Sequence, residues 1–99
     1  MKYCFHPAAR QDFFEALEYY EGSQQGLGAA FAKEVYATIQ RILYFPEAWS
    51  KLSRNTRRCL TNRFPYGVVY HVMKEEILIV AIAQLNRKPG YWKERLKHN

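Results

Sequence analysis

Seven consecutive residues, Ile77-Leu78-Ile79-Val80-Ala81-Ile82-Ala83, are apolar without polar alternation. Successive side chains of a strand point to opposite faces, so this segment must be covered on both faces or lie at the centre of a sheet. Every other element has to be placed with that demand in view. The chain has 99 residues, which predicts one domain spanning 1–99. A domain this small buries only roughly 60–65% of its unfolded surface, so few residues can be wasted. With 48% of residues hydrophobic, disorder is not expected.

The first half supplies a cover. Lys2 to Phe5 is short and apolar-rich and reads as a strand. Pro7 suits the first turn of a helix, where its missing N–H costs nothing. Ala9, Phe13, Ala16, Leu17 and Tyr20 then recur at helical spacing, with Asp12, Glu15, Glu18 and Glu21 at other positions. Gly22 to Gly26 breaks the pattern. A second stripe of Leu27, Phe31, Val35, Thr38, Ile39 and Ile42 ends before Pro46. Two helices joined by so short a loop pack as an antiparallel hairpin. Phe45 to Arg54 is irregular, with Trp49 and Leu52 as anchors. Val68 to Met73 is a strand by its β-branched content, and Lys74-Glu75-Glu76 reads as the turn into the apolar strand. Pro89 ends that strand. The expected class is α+β: an N-terminal strand, an antiparallel two-helix hairpin on a mainly antiparallel sheet of about four strands, and a short C-terminal helix or tail. The helices cover one sheet face and leave the other partly available.

Charge is segregated. Residues 1–49 carry four Lys/Arg and six Asp/Glu, a net of −2, and residues 50–99 carry eleven and three, a net of +8. Lys51 to Arg63 has five positive charges and no acid. A soluble surface normally mixes signs, so this asymmetry points to an anionic partner, nucleic acid or acidic protein. There is no nucleotide-binding glycine loop, no HExxH and no nucleophile elbow. His6, His71 and His98 do not cluster, and Cys4 and Cys59 follow no metal spacing. No metal and no cofactor are expected. The cysteines read as buried small hydrophobes. The N-terminus has no apolar run with a small-residue cleavage site, and no stretch of about 18 apolar residues exists. A cytoplasmic protein without membrane contact is the expectation.

Phe64-Pro65-Tyr66, Tyr70, the apolar strand and Arg87-Lys88-Pro89-Gly90-Tyr91-Trp92-Lys93-Glu94-Arg95 together resemble the RelE/ParE superfamily, toxins of bacterial type II toxin–antitoxin systems. Tyr19-Tyr20 before a glycine-containing loop and Pro46 after the second helix fit as well, so the resemblance covers nearly the whole chain. It implies a cognate antitoxin that wraps and neutralises the toxin, in a complex that can be of higher order. It also implies one of two targets. RelE-like members cut messenger RNA on the ribosome, and ParE-like members poison DNA gyrase without a nuclease centre.

The nuclease reading can be set against the residues. Metal-free RNA cleavage needs fixed cations at the phosphate and groups for proton transfer. Arg87 matches the family arginine after the last long strand, Tyr91 lies near a catalytic tyrosine, and Lys51 and Arg54 could stand in for the remaining cations. The family arginine after the tyrosine of the central turn is here Gly67. A histidine common after the apolar strand is here Gln84. These two departures favour the ParE-like branch and gyrase, with ribosome and mRNA as the alternative, and a non-toxic protein-binding module as a third reading. Macromolecule-binding candidates are Arg57, Arg58, Arg63, Arg87, Tyr91, Trp92, Lys93 and Arg95. Tyr91 and Trp92 could stack on bases or dock the tail on the sheet. Phe64 and Tyr66 could be surface aromatics or core.

Overall fold

The computed structural model describes residues 1–97. Its elements are β1 (Lys2–Phe5), α1 (Pro7–Ser23), α2 (Leu27–Tyr44), β2 (Ser50–Lys51), β3 (Arg57–Leu60), β4 (Tyr66–Val72), β5 (Glu76–Gln84) and α3 (Lys93–Lys97). The strands form one sheet in the order β1-β5-β4-β3-β2. The apolar strand β5 is therefore interior, antiparallel to β4 and parallel to β1. The sheet has five strands where about four were expected. Ser50 and Lys51, inside the segment read as irregular, pair with Arg58 and Arg57; two residues are too few to show a strand period.

The hairpin forms for local reasons. His6 Nδ1 accepts the Ala8 N–H at 3.0 Å, and Pro7 takes the first helical position. Gly26 adopts φ 87° between the helices, a conformation that favours glycine. The carboxylate of Glu21, on α1, then caps α2, accepting from Gly26 N at 3.1 Å and Gly28 N at 3.0 Å. A Cβ on Gly28 would lie 2.9 Å from that of Glu21, so this close approach needs glycine.

The helical stripes bury Phe13, Phe31, Val35, Ile39 and Ile42 against Val68, Tyr70, Ile77, Ile79 and Ile82 of the sheet. Tyr20, Phe31, Phe64 and Tyr66 meet ring to ring, with centroids 4.8 to 5.2 Å apart for Tyr20–Phe64, Phe31–Tyr66 and Phe31–Phe64. Phe64 is thus a core aromatic, half-buried Tyr66 packs against the core, and together they tie the entry of β4 to the hairpin.

Between β4 and β5 the register slips. Val69 faces Ala81 but Tyr70 faces Ile79, which leaves Val80 as an extra residue in a bulge. Val80 and Ala81 both join Val69, Leu78 and Ala83 on the second sheet face. The chain after β5 returns across that face. Trp92, 4% exposed, fills it, and Leu96 packs beside it. The two covers required by β5 are the helical hairpin on one side and this tail on the other.

Phe31 is fully buried and touches four other rings. Phe31→Ala should cost about 3–5 kcal/mol in urea unfolding. A loss below about 1 kcal/mol would mean that the hairpin is anchored elsewhere.

Candidate functional site

Strand β1 ends at Phe5, so the outer edge of β5 beyond Ile79 has no strand beside it. Backbone groups there need other partners. His6 N donates to Ile79 O at 2.9 Å. Asp12 Oδ2, on α1, accepts from Ile82 N at 3.1 Å, and Arg95 Nη1 donates to Val80 O at 2.9 Å. Asp12 and Arg95 also bind each other in bidentate fashion, at 2.7 Å and 3.1 Å, with side chains only 12% and 16% exposed. This pair closes the open edge of β5 and clamps the tail to α1.

Beside the pair lies a cleft of about 170 Å³ walled by Glu15, Tyr19, Tyr66, Gln84, Arg87 and Tyr91. The Arg87 guanidinium sits over the Tyr91 ring at 3.7 Å, and that of Arg95 lies 5.3 Å from the same ring. Burial, and then the Asp12 carboxylate, push the Tyr91 phenol above its ordinary pKa, against the opposing pull of Arg87 and Arg95. Burial raises Tyr66 in the same way, helped by Tyr20. At neutral pH these phenols hold their protons. They can donate a hydrogen bond, and neither is a base.

A second concavity, of about 390 Å³, opens at the other side of the sheet between Glu47, Lys51, Arg54, Arg57 and His71. Lys51 faces Arg57 across β2 and β3, and Arg57 faces Tyr70 across β3 and β4. Arg57 Nη1 donates to Glu47 O at 3.0 Å and Trp49 O at 2.9 Å, and the Tyr70 hydroxyl donates to Pro46 O at 2.6 Å. His71 Nδ1 lies 2.7 Å from Asn55 O, a pairing that places the ring proton on Nδ1. Burial lifts Tyr70 to about 12, with Arg57 pulling it down.

Arg87 and Tyr91 therefore stand at the β5–α1 side, and Lys51 and Arg54 at the β2–β3 side. Strands β4 and β3 lie between β5 and β2, a separation of about 14 Å at ordinary strand spacing. The four residues grouped as a possible nuclease centre do not converge on one phosphate. The basic candidates are divided as well. Arg57 shares the helix-side face with Tyr70, whereas Arg58 pairs with Val69 on the second face. A Cβ at position 67 would lie 2.7 Å from Arg58 Cδ, so Gly67 is the seat across which the Arg58 stem lies. Arg63 is exposed on the β3–β4 turn, 5.4 Å from the Phe64 ring. Lys93 and Arg87 are exposed. Two binding candidates need correction. Trp92 is buried because the second face of β5 requires a cover. Arg95 is engaged with Asp12 and Val80 because the strand edge requires a donor.

Sequence reading passed over Asp12, Glu34 and Arg41. Glu34 Oε1 accepts from Asn62 N and Arg63 N at 2.5 Å and 3.1 Å, and Arg41 Nη2 donates to Leu60 O at 3.0 Å, so both hold the β3–β4 turn to α2. By sequence Asp12 is placed only off the apolar stripe of its helix, and Glu34 and Arg41 are assigned no role. Their partners lie 19 to 83 positions away, beyond any local pattern.

Residues 3–89 match the family described as the ParE toxin of the type II toxin–antitoxin system, parDE. The chain belongs to the ParE toxin family. Among solved structures, a chain of the chromosomal ParDE TA system from P. aeruginosa superposes with a TM-score of 0.73 at 14% identity, covering 87% of this chain and 97% of that one. At that identity the likeness is one of fold. No curated protein matches the sequence. In this ParE-family chain, Tyr91, Trp92 and Arg95, which close the cleft and the edge of β5, follow the matched segment.

Asp12→Ala should destabilise the toxin fold by about 3–5 kcal/mol in urea titration, because it leaves a largely buried guanidinium and the Ile82 N–H without their acceptor. Replacing Arg95 by Met in the same chain should recover part of that loss; full additivity of the two changes would show that they do not act as a pair. Alkaline pH supplies a second check. Unfolded tyrosine loses its proton near pH 10, whereas folded Tyr70 keeps it to about 12. Its contribution to stability is complete below about pH 10 and is lost as pH rises toward 12. Tyr70→Phe should make that alkaline decline shallower in denaturation curves taken across this range. An unaltered slope would assign the decline to other groups.

Proposed function

We propose that this chain is the toxin of a type II toxin–antitoxin pair, that it acts in the cytoplasm by binding DNA gyrase, and that a cognate antitoxin holds it inactive. The observation that carries the choice of target is the division of Arg87 and Tyr91 from Lys51 and Arg54 across the sheet. Metal-free phosphodiester cleavage concentrates its cations and proton-transfer groups around one phosphate. Here the cleft at Arg87 is walled by tyrosines, the amide of Gln84 and the Glu15 carboxylate, and Lys51 and Arg54 stand at the opposite edge.

A gyrase poison has a different requirement. It must present a rigid surface that fits its target, and it needs no turnover. Exposed Arg87, stacked on Tyr91 and backed by the Asp12–Arg95 pair, is such a feature. Membership of the ParE toxin family supports the reading, and the ParDE TA system to which the similar P. aeruginosa chain belongs supports an antitoxin partner. Acidic antitoxin residues would find Arg63 and Arg87 exposed.

Purified chain should inhibit gyrase supercoiling at stoichiometric concentrations and leave messenger RNA intact on translating ribosomes. Added antitoxin should restore supercoiling. Discrete cuts at the ribosomal A site, with supercoiling unaffected, would overturn the gyrase reading in favour of a ribonuclease. Neither effect would leave a non-toxic binding module.

A further inference from the structure

We infer that the concavity between the β2–β3 edge and His71 binds the phosphodiester backbone of a nucleic acid, with Lys51, Arg54 and Arg57 as the cationic contacts. The inference goes beyond the choice of protein target, and it does not depend on gyrase.

The charges are arranged against their own repulsion. Lys51 and Arg57 are direct cross-strand partners, and like charges in that position destabilise a sheet. Arg54 joins them at the same cavity. Among the described residues none of the three has a carboxylate within ion-pair distance; the ion pair there is Asp12–Arg95, on the far side of the sheet. An anion from outside relieves the repulsion. Two groups on the lining are also held in place. Arg57 is braced through Nη1 by two carbonyls, and His71 is oriented by Asn55 O. Pre-positioned donors lose little freedom on binding.

The shape favours a polymer, and the lining favours phosphate. Arg54 also borders the next groove, where Lys93 and Leu96 of the tail face Ser53 and Thr56. Lys51, Arg54 and Lys93 thus stand along two adjoining hollows, the second of them lined by Leu96 as well. Protein partners bind through apolar anchors at the centre of an interface. This cavity is lined mainly by polar residues, with Val72 its one aliphatic side chain, and its one large aromatic, Tyr70, is fully buried with its hydroxyl bound to Pro46 O. A phosphate backbone needs cations and hydrogen-bond donors and no apolar anchor. The Glu47 side chain is the one opposing carboxylate on the lining.

The test is fluorescence anisotropy of the folded, antitoxin-free chain with a labelled 16-base-pair duplex DNA, a single-stranded DNA and a single-stranded RNA, each titrated across salt. Binding is expected at low salt, with the logarithm of affinity falling linearly against the logarithm of salt. Lys51→Ala with Arg54→Ala should weaken binding at least tenfold and lower the duplex salt slope by about 2. Glu47→Gln should tighten it severalfold. A control chain with Lys2→Ala and Lys33→Ala removes the same net charge elsewhere and should bind within twofold of the parent. Equal losses in both double variants would reduce the effect to net charge and overturn the site. Tighter binding of a glutamate-rich peptide of matched charge would overturn it in favour of an acidic protein. Arg57 is left intact because its carbonyl contacts are structural. The three probes separate duplex from single strand and DNA from RNA.

Discussion

The outer edge of β5 is where this fold is most exposed to failure. The strand is apolar on both faces and has β4 along one side, but β1 accompanies it only from Glu76 to Ile79. Beyond that point an uncovered hydrophobic strand edge would invite pairing with another chain. The bulge at Val80 and the Asp12–Arg95 pair answer this together. The bulge breaks the regular ladder, Arg95 takes the Val80 carbonyl, and Asp12 takes the Ile82 N–H. Because Asp12 belongs to α1 and Arg95 to the tail, the same contacts fix the helical hairpin and the C-terminal cover relative to β5. The pair is one of polar satisfaction more than of Coulomb gain. A largely buried ion pair contributes little net stability by charge alone, but losing one member is costly.

The cleft at Arg87 inherits its rigidity from that arrangement. Tyr91 stands between Arg87 and Arg95 and contacts Trp92, whose ring is sealed on the second face. A guanidinium on a fixed aromatic ring, itself fixed to a core tryptophan, keeps its direction. The opposite edge reaches a similar end by other means: the loop from Pro46 to Thr56 is tied by Arg57, Tyr70 and His71 to backbone carbonyls. Both surfaces are made of side chains whose neighbours are held by buried bonds, which is what molecular recognition by a small domain requires.

Much of this was legible in the chain itself. The helical stripes, Pro7, the break at Gly22 to Gly26 and the unalternating β5 are local patterns, and each maps onto the element it implied. The family resemblance was equally readable, because it rests on order and spacing. The site was legible only in part. Residues that look alike in sequence part company in space: Arg57 and Arg58 are neighbours on opposite faces, and Tyr91 and Trp92 are neighbours of which one lines a cleft and the other is core. Asp12 is placed by sequence only off the apolar stripe of its helix. Nothing within seven residues of it indicates that its partners are Ile82 and Arg95. The cover on the second sheet face was legible only as an alternative, a tail docked through Tyr91 and Trp92, since a tail of one turn has no period to detect.

The charge asymmetry that first pointed to a polyanion has to be recounted in this light. Of the cations in residues 50–99, Arg95 is ion-paired, Arg57 is partly committed to carbonyls, and the Arg58 stem lies across Gly67. What faces outward is Arg87 with Lys88 near the cleft, Lys51 with Arg54 at the opposite edge, and the scattered Arg63, Lys74 and Lys93. Gly67 belongs in the same recount. Set against a ribonuclease pattern, it marks a missing clamp. In the structure its lack of a side chain lets Arg58 lie flat on the sheet, so the position serves packing, and an arginine there would have to displace Arg58. The departure from the nuclease pattern is thus not an isolated gap. It is one part of a surface in which the sheet's arginines brace the scaffold and Arg87 stands too far from Lys51 and Arg54 to share one phosphate with them.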